Sequence, residues 1–89
     1  MEILIIYKKG HLRKGMDFFH QFAEQLTYYK YDRIQRIIEL YDGSTIQLLE
    51  NDYGKLRGRQ CQLIFIDNSI TIENIENEIF GRYEEAIFF

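Results

Sequence analysis

The chain has no proline, no tryptophan and no valine, and it has a single cysteine, Cys61. One cysteine excludes an internal disulfide and a cysteine-rich zinc site. No apolar run approaches the roughly 18 residues that a membrane span needs. The first residues, MEILIIYKKG, lack the basic start, long apolar stretch and small-residue cleavage site of a secretory leader. A formal net charge of −3 excludes a uniformly basic nucleic-acid binder. What remains is ordinary globular material. Hydrophobic residues make up 46% and charged residues 28% of 89 residues, with seven Tyr, seven Phe and fourteen Ile available for a core. The expectation is one domain spanning residues 1–89, cytoplasmic and without a membrane partner.

Charge is uneven along the chain. Residues 1–36 sum to +3 and residues 37–89 to −6. Such asymmetry can orient a protein on a partner, although solvated surface charge produces the same pattern.

Glu2 to Tyr7 (EILIIY) is an almost continuous apolar run, the signature of a strand covered on both faces, as in a parallel sheet. KKGHLRKG then reads as a polar loop punctuated by Gly10 and Gly15. From Met16 the period becomes helical, with Phe19, Phe22, Ala23, Leu26 and Tyr29 on one stripe. Asp17 is the expected N-cap, and the polar stretch from Lys30 to Asp32 the expected end. Arg33 to Tyr41 and Ser44 to Glu50 are β-prone runs joined by Asp42-Gly43. That pair predicts a hairpin with a type I′ turn, which needs positive φ at both central residues. Apolar residues on both faces of the first hairpin strand leave its register open. Asn51 to Gln60 reads as a loop. Cys61 to Ile66 predicts a second buried strand, Ile72, Ile75 and Ile79 a short helix capped by Gly81, and Glu85 to Phe89 a last strand. The fold class expected is α/β: a small mixed, mainly parallel sheet with a β-hairpin and two helices.

Two places could carry chemistry. Gly10-His11-Leu12-Arg13-Lys14-Gly15 follows a strand and opens a helix, which is the setting of a phosphate-binding loop. Gly10, Lys14 and Gly15 are therefore candidate phosphate contacts. The full motif continues with a lysine and a hydroxyl residue; here Met16 and Asp17 occupy those places. The second is Leu63-Ile64-Phe65-Ile66-Asp67-Asn68, an apolar strand delivering a carboxylate to a sheet edge. Asp67 is the candidate metal ligand, in the place where an acid helps to hold Mg²⁺. Asn68 can orient water but cannot act as a base. Two weaker sets complete the candidates. Lys55, Arg57 and Arg59 could contact phosphate or a nucleic-acid backbone. Tyr28, Tyr29 and Tyr31 beside Lys30 and Arg33 could form a stacking platform. His11 and His20 lack partners at metal-ligand spacing.

Asp42-Gly43-Ser44-Thr45-Ile46, then Lys55-Leu56-Arg57-Gly58, then Leu63 to Asp67, resembles the ATPase domain of phage large terminases. In that family a hairpin with an N/D-G-S turn precedes an L-R-G loop and an apolar strand ending in Asp-Glu. The order of elements agrees over most of the chain, with motif-level agreement from Asp42 to Asn68. The resemblance implies a P-loop NTPase-like fold in which Asp67 is the metal-side acid and Asn68 replaces the catalytic glutamate. Two alignments of the first strand stand open. In one, the phosphate loop is present but has lost its lysine, with Lys8, Lys9 or Lys14 as substitute. In the other, Glu2 to Tyr7 and its helix match a later strand-helix unit, and the phosphate loop is missing. The resemblance thus implies a small phage or prophage protein without hydrolytic activity. It would act by binding a protein partner, with homodimerisation as a secondary expectation. The alternative is a residual module that binds ATP with Mg²⁺ or nucleic acid.

Overall fold

The structure, a computed structural model, describes residues 1–51, 62–70 and 85–89. Among these it is a mixed α/β fold with one helix and a six-stranded, mostly parallel sheet. The elements are β1 (Glu2–Tyr7), α1 (Leu12–Gln25), β2 (Lys30–Asp32), β3 (Ile37–Glu39), β4 (Thr45–Glu50), β5 (Leu63–Ile66) and β6 (Glu85–Phe88). Their spatial order is β2-β3-β4-β1-β5-β6. β1 pairs in parallel with β4 and β5, and β5 with β6, while β2-β3 and β3-β4 are antiparallel.

β1 occupies the middle of the sheet, and its alternating side chains serve two cores. Ile5 and Tyr7 join Phe19 of α1, Ile38, Ile46, Leu48 and Phe65 on one face. Leu4 and Ile6 join Ile64, Ile66 and Ile70 on the other. A strand buried on both faces has no polar position to offer, which is why EILIIY reads as one apolar run. The hairpin register left open by pattern is set by the fold: Ile38 stands beside Ile46, both fully buried on the α1 side.

Several local expectations are corrected. The helix begins at Leu12 with His11 at its N-cap, so neither Met16 nor Asp17 starts it. Gly15 therefore lies inside the helix rather than in a loop. A Cβ there would sit 2.8 Å from Cβ of Tyr7, so a glycine is what lets the first turn of α1 rest directly on the end of β1. The helix ends at Gln25, before Leu26 and Tyr29, because the chain turns toward the sheet and the Tyr29 N–H donates to the Glu39 carbonyl at 2.8 Å. Lys30 to Asp32, expected only to stop the helix, is itself a strand.

The run from Arg33 to Tyr41 is broken as well. Asp32 Oδ1 accepts the N–H groups of Ile34 and Gln35, both at 3.0 Å, and Arg36 takes a left-handed φ of 56°. A tight turn thus occupies 33–36, and only Ile37–Glu39 remains strand. The hairpin at Asp42-Gly43 forms, but not through a type I′ turn. Among residues 40–44 only Gly43 has positive φ, at 86°. The Gly43 N–H donates to the Leu40 carbonyl at 3.1 Å and the Leu40 N–H to the Ser44 carbonyl at 2.8 Å. This is a three-residue loop with a glycine bulge, and Asp42 Oδ1 accepts the Ser44 N–H at 2.8 Å to brace it. The helix expected around Ile72 to Ile79, its Gly81 cap and the 51–60 loop beyond Asn51 fall outside the described residues.

Candidate functional site at the ends of β1 and β5

The central strands create a particular place by their connections. From β1 the chain moves through α1 to β4 on one side, and from β5 it moves to β6 on the other. The carboxyl ends of β1 and β5 lie side by side where those paths diverge. In open α/β sheets this is the crevice where ligands bind.

Asp67 leaves the end of β5 at this point, and its carboxyl is fully buried. Its backbone N–H donates to the Ile6 carbonyl at 2.8 Å, which extends the β1-β5 pairing by one residue. Four donors surround the carboxylate. Oδ2 accepts the Lys8 N–H at 3.0 Å and faces His11 Nδ1 at 3.1 Å. Oδ1 accepts Lys14 Nζ at 2.8 Å and the Ser69 N–H at 2.9 Å. Burial alone pushes the carboxyl pKa up. The bonds from Lys14, the two backbone N–H groups and His11 outweigh that effect and hold it well below the usual carboxylate range. Asp67 is therefore ionised and fully satisfied from within the chain.

The loop after β1 is shaped to reach it. Gly10 has φ of 92°, and the turn closes with the His11 N–H donating to the Lys8 carbonyl at 2.8 Å. That reversal points the Lys8 N–H and the His11 ring at the carboxylate. His11 makes no side-chain cap for its own helix, because its ring is directed at Asp67 instead. Lys14, one turn into α1, also donates to Asn68 Oδ1 at 2.9 Å and lies 5.4 Å from the centre of the Phe89 ring. Phe89 stacks on Phe18 with centroids 4.3 Å apart, and its N–H donates to the Ile66 carbonyl at 2.9 Å. Lys14 is thus held by a carboxylate, an amide and an aromatic face together.

Of the residues singled out in the sequence, the fold brings Gly10, Lys14, Gly15, Asp67 and Asn68 to one rim. Gly15 serves the packing of α1 on Tyr7 and is buried, while Gly10 serves the turn. Lys55, Arg57 and Arg59 lie outside the described residues. Tyr28 and Tyr31 meet edge-to-face at 5.9 Å, and the Arg33 guanidinium sits over the Tyr31 ring, 5.0 Å from its centre, so Tyr31 packs against Tyr28 and Arg33 from within the chain. His11 was missed as a member of the site, because its partner is 56 residues away and no local spacing announces it. Phe89 was missed for the same reason.

Chemically the cluster is a neutralised ion-pair network. A divalent ion at Asp67 would have to displace Lys14, and no group of three or more His, Cys, Asp or Glu side chains gathers elsewhere among the described residues. No helix among the described residues is long and apolar enough to cross a membrane. Comparison with protein-family models, with curated proteins and with solved structures finds no match.

Proposed function

We propose that this chain is a non-catalytic, cytoplasmic phage or prophage protein with a degenerate P-loop NTPase-like core of the phage terminase type, acting by binding another protein. The observation that carries the reading is the engagement of Asp67. An acid that holds Mg²⁺ for a nucleotide must keep oxygens open toward the metal. Here both oxygens are occupied by two donors each, one of them the lysine best placed to meet a phosphate. Asn68 in turn offers no base. The rim supports an internal brace between β1, α1 and β5 rather than a reaction centre.

Protein binding is supported by the ends of the sheet. At β6, Ile87 and Phe88 are exposed; near β2, so are Tyr29, Ile34 and Tyr41. Large exposed apolar side chains at sheet edges that are unpaired among the described residues are what a partner covers.

A residual nucleotide- or nucleic-acid-binding module is the second reading, favoured by Lys14 at the β1-β5 crevice and by three further cations, Lys8, Lys9 and Arg13, in the segment that leads from β1 into α1. Calorimetric titration with ATP and Mg²⁺ separates the two. The first reading expects no saturable heat and no phosphate release. Tight binding that Asp67→Ala abolishes in a still-folded protein would overturn it. Binding to single-stranded or duplex DNA that weakens steeply with added salt would favour the second.

A further inference from the structure

The sheet ends at β2 among the described residues, and this edge carries both signs of charge, Lys30 and Asp32. Natural edge strands are commonly blunted by proline or by charged side chains, lysine above all. Here Lys30 and Asp32 project from the same face, two residues apart, with Tyr31 turned to the other side against Phe19 (centroids 5.7 Å apart). Neither charge forms an ion pair among the described residues. Asp32 uses Oδ1 for its turn, which leaves Oδ2 free of hydrogen bonds among the described residues. Two large apolar side chains flank the strand, Tyr29 at 65% exposure on one end and Ile34 at 93% on the other.

We propose that β2 pairs antiparallel with β2 of a second copy of this chain, about a two-fold axis through Tyr31. The charge order is self-complementary in that arrangement alone. Lys30 of each copy stands opposite Asp32 of the other, giving two opposite-charge pairs, whereas parallel pairing sets lysine against lysine and aspartate against aspartate. Within each copy Glu39 already stands opposite Lys30 in the β2-β3 register. The seam therefore builds a row of alternating charge: glutamate, lysine, aspartate. The same register sets Tyr29 of one copy opposite Arg33 of the other, so an exposed ring and a cation flank the charge pairs at each end. A strand of another protein lacks this enforced match, which is why a second copy is the occupant.

The inference builds on the protein-binding part of the function proposed above by naming the occupant of one edge. Sedimentation equilibrium on the full chain tests it, with Lys30→Asp and Asp32→Lys variants and circular dichroism as the check of fold. The wild type is expected to dimerise reversibly, and Lys30→Asp, which keeps the Asp32 turn, to weaken the dimer by about tenfold or more through two like-charge pairs. Mixing the Lys30→Asp and Asp32→Lys chains is expected to restore association as a heterodimer, since each then meets the opposite sign. The double variant carrying both changes regains two opposite-charge pairs across the seam and, despite losing the Asp32 turn, is expected to dimerise more tightly than Lys30→Asp. A chain that stays monomeric up to about 1 mM overturns the proposal, as does a dimer indifferent to Lys30→Asp or a mixture that fails to associate. A monomer that still captures a phage protein refutes the dimer and leaves the proposed function standing. That function falls separately, by the titration with ATP and Mg²⁺.

Discussion

Replacing Asp67 should cost the protein much of its stability, because the residue braces three elements at once. Asp67→Ala strands the Lys8 and Ser69 N–H groups and leaves Lys14 without its carboxylate. Breaking a buried ion pair by removing one partner costs about 3–5 kcal/mol. The Lys14 side chain is 37% exposed and can rehydrate, which favours the lower part of that range. Each orphaned N–H adds about 1 kcal/mol. The expected loss is thus about 3–5 kcal/mol, against a total of about 4–13 kcal/mol for a domain of this size. Urea denaturation followed by circular dichroism reads it as a midpoint lower by about 2 M or more, for a slope of about 1–2 kcal/mol per molar. Asp67→Asn, which keeps one acceptor, supplies the pH arm. The folded carboxyl has a depressed pKa, so its contribution is complete above the unfolded value of about 3.9 and is lost as pH falls below it. The gap between wild type and Asp67→Asn should therefore narrow below about pH 4, by up to about 1.4 kcal/mol per pH unit. An Asp67→Ala protein within about 1 kcal/mol of wild type at neutral pH, or a gap that widens in acid, would refute the brace.

Gly15→Ala should destabilise by about 1–2 kcal/mol despite the better helix propensity of alanine, since the new methyl meets the Tyr7 Cβ at 2.8 Å; thermal melting reads the loss. Arg36→Gly should do the opposite, stabilising by up to about 1 kcal/mol, because Arg36 holds a left-handed φ of 56° that glycine adopts without strain; urea midpoints compare the two.

The strands were legible because each carried its own evidence. β1, β4 and β5 bury enough of their side chains, and β6 pairs along its length with β5, that apolar content marked all four, and Asp42-Gly43 marked the reversal into β4. Local chemistry misled where a contact from elsewhere in the chain took over. Gly15 looks like a loop residue until Tyr7 lies beneath it. Leu26 and Tyr29 keep the helical spacing, yet the Glu39 carbonyl draws the backbone into the sheet. The strand at Lys30–Asp32 has no apolar pattern of its own and exists through its pairing with β3.

From the order of residues alone came a small α/β chain, its central buried strand, its hairpin, and two polar termini of apolar segments worth watching. Only the folded chain decided what those termini do, because His11 and Lys14 lie more than fifty residues from Asp67 along the backbone. Adjacent parallel strands erase that distance and set the carboxylate inside a ring of donors. Whether an aspartate is open to a ligand or closed by its neighbours depends on which groups surround it in space, and sequence separation carries no record of that.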